Sequence, residues 1–253
     1  MKLPLNQCQR QSGGYNMLTF HVITLFPESL DSYLNASIVK RAQEKKLVAI
    51  KCYNPRDFTS SRRSSKGAKA GQMSYADRRV DDRPYGGGPG MVIEALPVIK
   101  AVEAAIGKRL KSKAGKASTK IIFFSPAGKQ FSNSLADSYK KYSDIILVCG
   151  RYEGIDARIK KVFPMADVSI GPYTLTGGEL PAMIVIDSIT RRLPGVLGHD
   201  SSIEELRVAS PDVYTRPESF EYKGKSYRVP KVLLSGHHAK MDEWKSGRKS
   251  KSR

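Results

Sequence analysis

The stretch from Ser169 to Pro181, S-I-G-P-Y-T-L-T-G-G-E-L-P, constrains this chain more than any other. It follows an apolar-leaning run and precedes a strongly helical one, so it predicts a loop at a strand end that opens a helix near Glu179. Glycine there lets main-chain N–H and C=O groups approach a ligand, and Pro172 and Pro181 stiffen the path. A Gly-Gly pair alone is equally the mark of an ordinary connection. However, Cys149 to Arg158, C-G-R-Y-E-G-I-D-A-R, repeats the arrangement after the apolar strand Asp144 to Val148 and opens a second helix. Two such loops at strand ends point to one composite pocket. Neither holds G-x-G-x-x-G or the P-loop pattern, so dinucleotide and triphosphate readings have no support.

Around these loops the chain alternates between β-branched runs and helical spacing. Leu18 to Phe26 reads as a buried strand ended by Pro27, with His21 a packed core residue. Ser29 to Lys46 reads as a helix, Val48 to Tyr53 as a strand and Glu94 to Ile106 as a helix. Lys108 to Lys120 reads as a basic loop, Ile121 to Phe124 as a short strand, Asn133 to Lys141 as a helix and Phe220 to Val229 as a hairpin. The class this predicts is α/β with a mostly parallel sheet.

With 253 residues the chain can bury one large core or two modest ones. Its net charge of +19, from 43 Lys and Arg against 24 Asp and Glu, calls for a polyanionic partner, and nucleic acid is the commonest. Three scattered cysteines make neither a disulfide framework nor a zinc site and fit a reducing cytoplasm. No run is long enough to span a membrane, and Met1 to Asn16 lacks the apolar core of a signal peptide, so residues 1–16 read as a disordered extension. Ser60 to Arg79 sets six Lys and Arg among Ser, Gly and Ala. It is expected to be a flexible basic insertion, able to neutralise phosphates or to serve as a solvated linker.

Set together, the two loops, V-D-D-R-P-Y-G-G-G-P-G-M at Val80 to Met91, N-P-R-D-F-T at Asn54 to Thr59, S-P-A-G at Ser125 to Gly128 and Y-T-R-P at Tyr214 to Pro217 resemble one family. It is the bacterial tRNA (guanine-N1)-methyltransferases of the SPOUT class, TrmD, and the resemblance runs from about Leu18 to Trp244. It implies a mostly parallel sheet with helices on both faces, threaded as a deep trefoil knot. A methyltransferase domain over 17–198 would precede an interdomain loop and a small, abbreviated C-terminal helical tRNA-binding domain over 199–253. It implies a cytoplasmic homodimer, built partly on Ala182 to Arg192, with the active site at the subunit interface. S-adenosyl-L-methionine is the implied cofactor, with Mg²⁺ dependence, and tRNA the substrate, methylated at N1 of the guanosine 3′ to the anticodon, position 37. The alternative is a catalytically silent tRNA-binding protein on the same scaffold.

Residue by residue, the resemblance assigns the cofactor to Phe123, Phe124, Ser125, Pro126 and Gly128, to Gly150, Tyr152, Glu153 and Gly154, and to Ser169, Ile170, Gly171, Pro172, Tyr173, Thr174, Leu175, Gly177, Gly178 and Pro181. It assigns tRNA contacts to Arg56, for which a supporting role is the alternative, and to Arg83, Tyr85, Gly86, Gly87, Gly88, Arg216, His237 and His238, and the catalytic arginine to Arg191, in register through Pro194 to Gly198. Phe123 stands where many relatives have tyrosine, and Pro172 where an acid is common. Guanine N1 carries a proton at neutral pH, so a carboxylate must accept it while a cation stabilises charge on O6. Counted from Gly198, the family's aspartate falls on Leu206, which cannot take a proton. A one-residue shift makes Glu205 the expected base.

Overall fold

The computed structural model describes residues 17–59, 78–107, 112–198 and 212–249. The chain divides into two compact units, Met1–Val196 and Leu197–Arg253. Residues 1–16, most of the basic insertion and the segment holding Glu204, Glu205 and Leu206 lie outside the described residues.

In the first unit, β1 (Leu18–Ile23) is followed by α1 (Asp31–Leu34), α2 (Ser37–Glu44), β2 (Val48–Tyr53), the short pair β3 (Asp81–Asp82) and β4 (Val92–Ile93), α3 (Ala95–Ile106) and α4 (Lys113–Ala117). Then come β5 (Thr119–Gln130), α5 (Asn133–Tyr139), β6 (Asp144–Val148), α6 (Ile159–Val162), β7 (Ala166–Ser169) and α7 (Glu179–Thr190). Five strands form one parallel sheet in the order β2-β1-β6-β5-β7. Side chains alternate across a strand, and β6 uses both faces. Ile145 and Leu147 join a core with α2, α5 and α7, while Ile146 and Val148 join a second core with α3 and α6. Each such isoleucine, fully buried, contributes about 1.5–3 kcal/mol. Burial on both faces explains why β6 reads as an unbroken apolar run rather than an alternation.

His21 is in the core as expected, 3 % exposed, with Nε2 3.0 Å from Asp144 Oδ1 and Nδ1 3.2 Å from the Tyr53 hydroxyl. Three expectations are revised. The helix expected over Ser29 to Lys46 is interrupted, because the Asn35 amide donates to the Asp31 carbonyl and closes α1 before Ala36 turns extended. The basic loop expected over Lys108 to Lys120 contains α4, capped by Ser112 Oγ accepting from the Gly115 N–H at 3.0 Å. The strand expected to stop at Phe124 runs on to Gln130, since Phe124 and Lys129 both pair with Val168 and Ser125 to Gly128 bulge out between them.

The second unit holds β8 (Ser219–Tyr222) and β9 (Lys225–Arg228), an antiparallel hairpin, then α8 (Lys231–Leu234) and α9 (His238–Lys249). Lys223 and Gly224, both at positive φ, make its two-residue turn. Among the described residues no helix is long and apolar enough to cross a membrane.

Candidate active site

Strands β6, β5 and β7 are neighbours in the sheet, and the bulge within β5 together with the loops that follow β6 and β7 encloses a cavity of about 420 Å³. Every cofactor residue expected from the resemblance lines it except Gly128, Gly171 and Pro172. Gly128 sits behind the wall, where a Cβ would lie 2.5 Å from the Val168 nitrogen, so it lets the bulge close on β7. Gly171 is roofed by the Tyr173 ring. Sequence reasoning missed Arg151, Ile155, Ala157, Lys160, Val168 and Thr176. All but Lys160 and Val168 fall inside the two glycine-bearing stretches and were legible by position. Lys160 is brought in by α6, with Nζ 2.8 Å from Asp167 and 4.3 Å from the centre of the Phe123 ring. At Phe123 the ring face therefore meets a cation.

The two glycine loops are clamped to each other. Gly178 N–H donates to the Gly150 carbonyl at 2.9 Å, and Arg151 and Gly177 form an isolated antiparallel bridge. Gly178 has an ordinary helical φ of −84°, so backbone freedom is not what requires glycine here. The requirement is space: a Cβ would lie 2.5 Å from Cys149 Cα.

Beneath the clamp, Glu179 opens α7 and is 3 % exposed. Thr24 Oγ1 donates to its Oε1 at 2.7 Å, and Arg151 Nε lies 3.0 Å from its Oε2. That second contact is an ion pair without hydrogen-bond alignment, so neither atom has a hydrogen-bond partner. The Arg151 guanidinium also lies 4.7 Å from the Phe26 ring centre, which Arg56 approaches at 5.4 Å. Burial, and next the Glu179 charge, push the Cys149 thiol well above its usual range, so it stays protonated and unreactive. Glu179→Gln should leave the Arg151 charge without a counter-ion, destabilise the fold by about 3 kcal/mol and loosen both loops. Urea denaturation with cofactor titration checks this, and wild-type behaviour in both would show the pair to be idle.

The glycine-rich segment Val80 to Met91 docks on the first loop. Ile93 N–H donates to the Gly154 carbonyl at 3.0 Å, Asp156 N–H to Ile93 at 2.9 Å and Glu153 N–H to Met91 at 3.0 Å. Glu153 lies against Gly90, between that cavity of about 420 Å³ and the glycine-rich segment. Gly86, Gly87 and Gly88 hold φ of 88°, 82° and 111°, which side-chain-bearing residues rarely adopt. Tyr85 is fully exposed and, with Arg83, lines an adjoining cleft of about 810 Å³. In the same cleft Asp156 is held below the usual carboxylate range, chiefly by its hydrogen bond from Arg158.

Arg56, expected to contact RNA or to support the cleft, is 7 % exposed, with Nη1 donating to the Leu25 carbonyl at 2.8 Å. Its head is engaged inside the protein and supports the loop. Arg216, His237 and His238 are exposed in the second unit. Arg191 does not line the cavity between the two glycine loops. It ends α7 beside a separate hollow of about 390 Å³ with Tyr33, Leu180, Met183, Ile184, Asp187 and Ser188. There Leu180 and Ile184 are 54 % and 44 % exposed, an apolar α7 face left uncovered.

Comparisons with known proteins agree on one group. A family model described as tRNA (Guanine-1)-methyltransferase TrmD matches residues 18–253. The chain is 41 % identical over 232 residues to the tRNA (guanine-N(1)-)-methyltransferase of Clostridioides difficile (strain 630), covering 90 % of each chain. It is 40 % identical over 233 residues to that of Dictyoglomus turgidum (strain DSM 6724 / Z-1310), covering 90 % of this chain and 84 % of that one. The crystal structure of tRNA (m1G37) methyltransferase from Aquifex aeolicus aligns with a TM-score of 0.69 at 35 % identity, over 92 % of this chain and 90 % of that one.

Proposed function

Since this chain belongs to the tRNA (guanine-1)-methyltransferase family, we propose that it transfers a methyl group from S-adenosylmethionine to N1 of guanosine 37 of tRNA. The observation that carries this is the meeting of the S-P-A-G bulge of β5 with both glycine loops, which follow the neighbouring strands β6 and β7, with Glu153 facing the glycine-rich segment. The cavity volume of about 420 Å³ is that of a small-molecule site. The close backbone approach at Gly178 and the apolar wall of Phe123, Phe124, Val168 and Ile170 suit a nucleoside with a charged tail. Bound there, S-adenosylmethionine supplies a methyl already activated on sulfonium.

The chain's own residues then have three tasks. Gly150, Gly177 and Gly178 hold the cofactor loops in one geometry, so the reacting atoms can be set in line. Gly86 to Gly88, without side chains, leave room for the target base, and Arg83 and Tyr85 reach its phosphate or ring. Glu205 accepts the N1 proton as the methyl arrives, and Arg191 stabilises charge developing on O6. Among the described residues no three His, Cys, Asp or Glu side chains cluster to hold a metal such as Mg²⁺.

The reading includes the knot, a homodimer and a cytoplasmic setting. Support for threading comes from the loop after β7 returning onto the loop after β6 through Gly178 and Gly150. Support for the dimer comes from Arg191 lying outside the cofactor cavity, beside the uncovered Leu180 and Ile184. A second subunit seated there would bring Arg191 to its neighbour's cavity. Ile184→Glu should therefore yield a monomer in sedimentation and little methyl transfer; an active monomer overturns this arrangement.

Methyl incorporation into an unmodified tRNA transcript, mapped to N1 of guanosine 37, tests the function. Folded, cofactor-bound protein that transfers no methyl would instead leave the silent tRNA-binding alternative.

A further inference from the structure

In the second unit, the hairpin β8–β9 has every residue of both strands exposed. Its register sets Phe220 opposite Tyr227 and Tyr222 opposite Lys225. Cross-strand partners and alternate residues share a face, so Phe220, Tyr222, Lys225 and Tyr227 stand together on one side. The Phe220 and Tyr227 rings stack at 5.3 Å and 15°, and Lys223 Nζ lies 5.4 Å over the Tyr222 ring. These three aromatics are 56 %, 59 % and 46 % exposed in sequence order.

Three aromatic rings on one solvent-facing hairpin mark an interaction surface, not an ordinary solvated strand pair. The charge beside them selects the partner. Lys225 shares that face and Lys223, at the turn, lies over the Tyr222 ring, whereas Glu221 falls on the opposite side, so the face combines flat π surfaces with cations. Unpaired RNA presents the complement, with bases that stack on aromatic rings and phosphates that pair with lysine.

We propose that this hairpin face is a stacking platform for unpaired nucleobases of the tRNA, separate from the pocket that takes the target guanine. It rests on the reading of tRNA as substrate. Tyr222 is its centre. The Phe220–Tyr227 pair also steadies the hairpin as a cross-strand contact, whereas Tyr222 stands outside that stack, with Lys223 over its ring. Lys223 and Lys225 flank the ring at the turn, where they would meet the backbone on either side of a stacked base.

The test uses the full chain, an unmodified tRNA transcript, and a short single-stranded oligoribonucleotide beside its blunt duplex. Tyr222→Thr keeps a strand-favouring residue and removes the ring. It should weaken binding to the tRNA and to the single strand at least about fivefold. Duplex binding, the slope of log affinity against log salt, and S-adenosylmethionine affinity should not change. Tyr227→Phe should match the wild type. Lys223→Gln with Lys225→Gln leaves every ring in place and should lower the salt slope by up to about two, which keeps the test decisive if Tyr222→Thr distorts the hairpin. Wild-type tRNA affinity in both the Tyr222→Thr and the double lysine variants overturns the platform while leaving the methyltransferase reading intact. Equal loss on duplex and single strand overturns stacking, and a dimer that falls apart in Tyr222→Thr makes the face a protein contact instead. A wild-type chain that neither binds tRNA nor methylates it removes the premise, and the platform with it.

Discussion

Glu205→Gln should lower the rate of methyl transfer roughly 10²- to 10⁴-fold while S-adenosylmethionine affinity is unchanged. Guanine N1 must lose its proton as the methyl arrives, and a glutamine keeps the shape of the side chain without its basicity. Leu206 has no proton acceptor, and Glu205 is the adjacent carboxylate. Single-turnover methyl transfer on a tRNA transcript, with calorimetry for the cofactor, separates the chemical step from binding. Raising the pH should partly rescue the variant, because solvent then takes more of the N1 proton. Glu204→Gln should stay within a few-fold of wild type on the same reasoning. If Glu204→Gln is the inactive variant, the register is displaced by one residue. If Glu205→Gln remains active and Glu153→Gln is dead, the acceptor is Glu153, the acid that lines the cofactor cavity beside Gly90.

Gly178→Val should abolish measurable S-adenosylmethionine binding in a protein that still folds. A Cβ at this position meets Cys149 Cα at 2.5 Å and Cys149 Cβ at 2.9 Å, and the obstacle is backbone, which cannot swing away as a side chain can. The two loops must part, and the Gly178 to Gly150 hydrogen bond goes with them. Overpacking of this kind costs about 1–3 kcal/mol, less than the roughly 5–15 kcal/mol that holds a typical fold together. The damage is therefore expected in the cavity before the core. Calorimetry for affinity and circular dichroism for the fold decide it. Unchanged affinity would make the loop a connector only, while a collapsed fold would mean that the clamp is part of the core.

How far the site could be read from sequence differs from residue to residue. The start of α7 at Glu179 was legible because a proline-stiffened, glycine-bearing loop gives way abruptly to helical spacing. The role of Glu179 was not. Its partners Thr24 and Arg151 lie 155 and 28 positions away along the chain, and no local pattern links them. At Arg56 the sequence left contact with RNA and internal support both open, and it is the Leu25 carbonyl and the Phe26 ring, brought together by the fold, that hold its head inside. Phe124 looked like a strand end because Ser-Pro-Ala-Gly follows it. Only the pairing of Lys129 back onto Val168 shows the strand resuming beyond the bulge.

By itself the sequence determined the α/β class, since buried parallel strands must be apolar throughout and their connecting helices must alternate with them. It also placed S-P-A-G and the loops that follow β6 and β7 as pocket walls, since glycine and proline act through local backbone geometry. Tertiary structure alone decided why Gly178 is glycine, which is close approach to Cys149 and not an unusual φ. It also decided that Glu179 is a buried clamp, and that Arg191 stands away from the cavity between the glycine loops within one chain. Each of these depends on atoms far apart in sequence meeting at ångström range. Local propensity and periodicity carry no information at that distance.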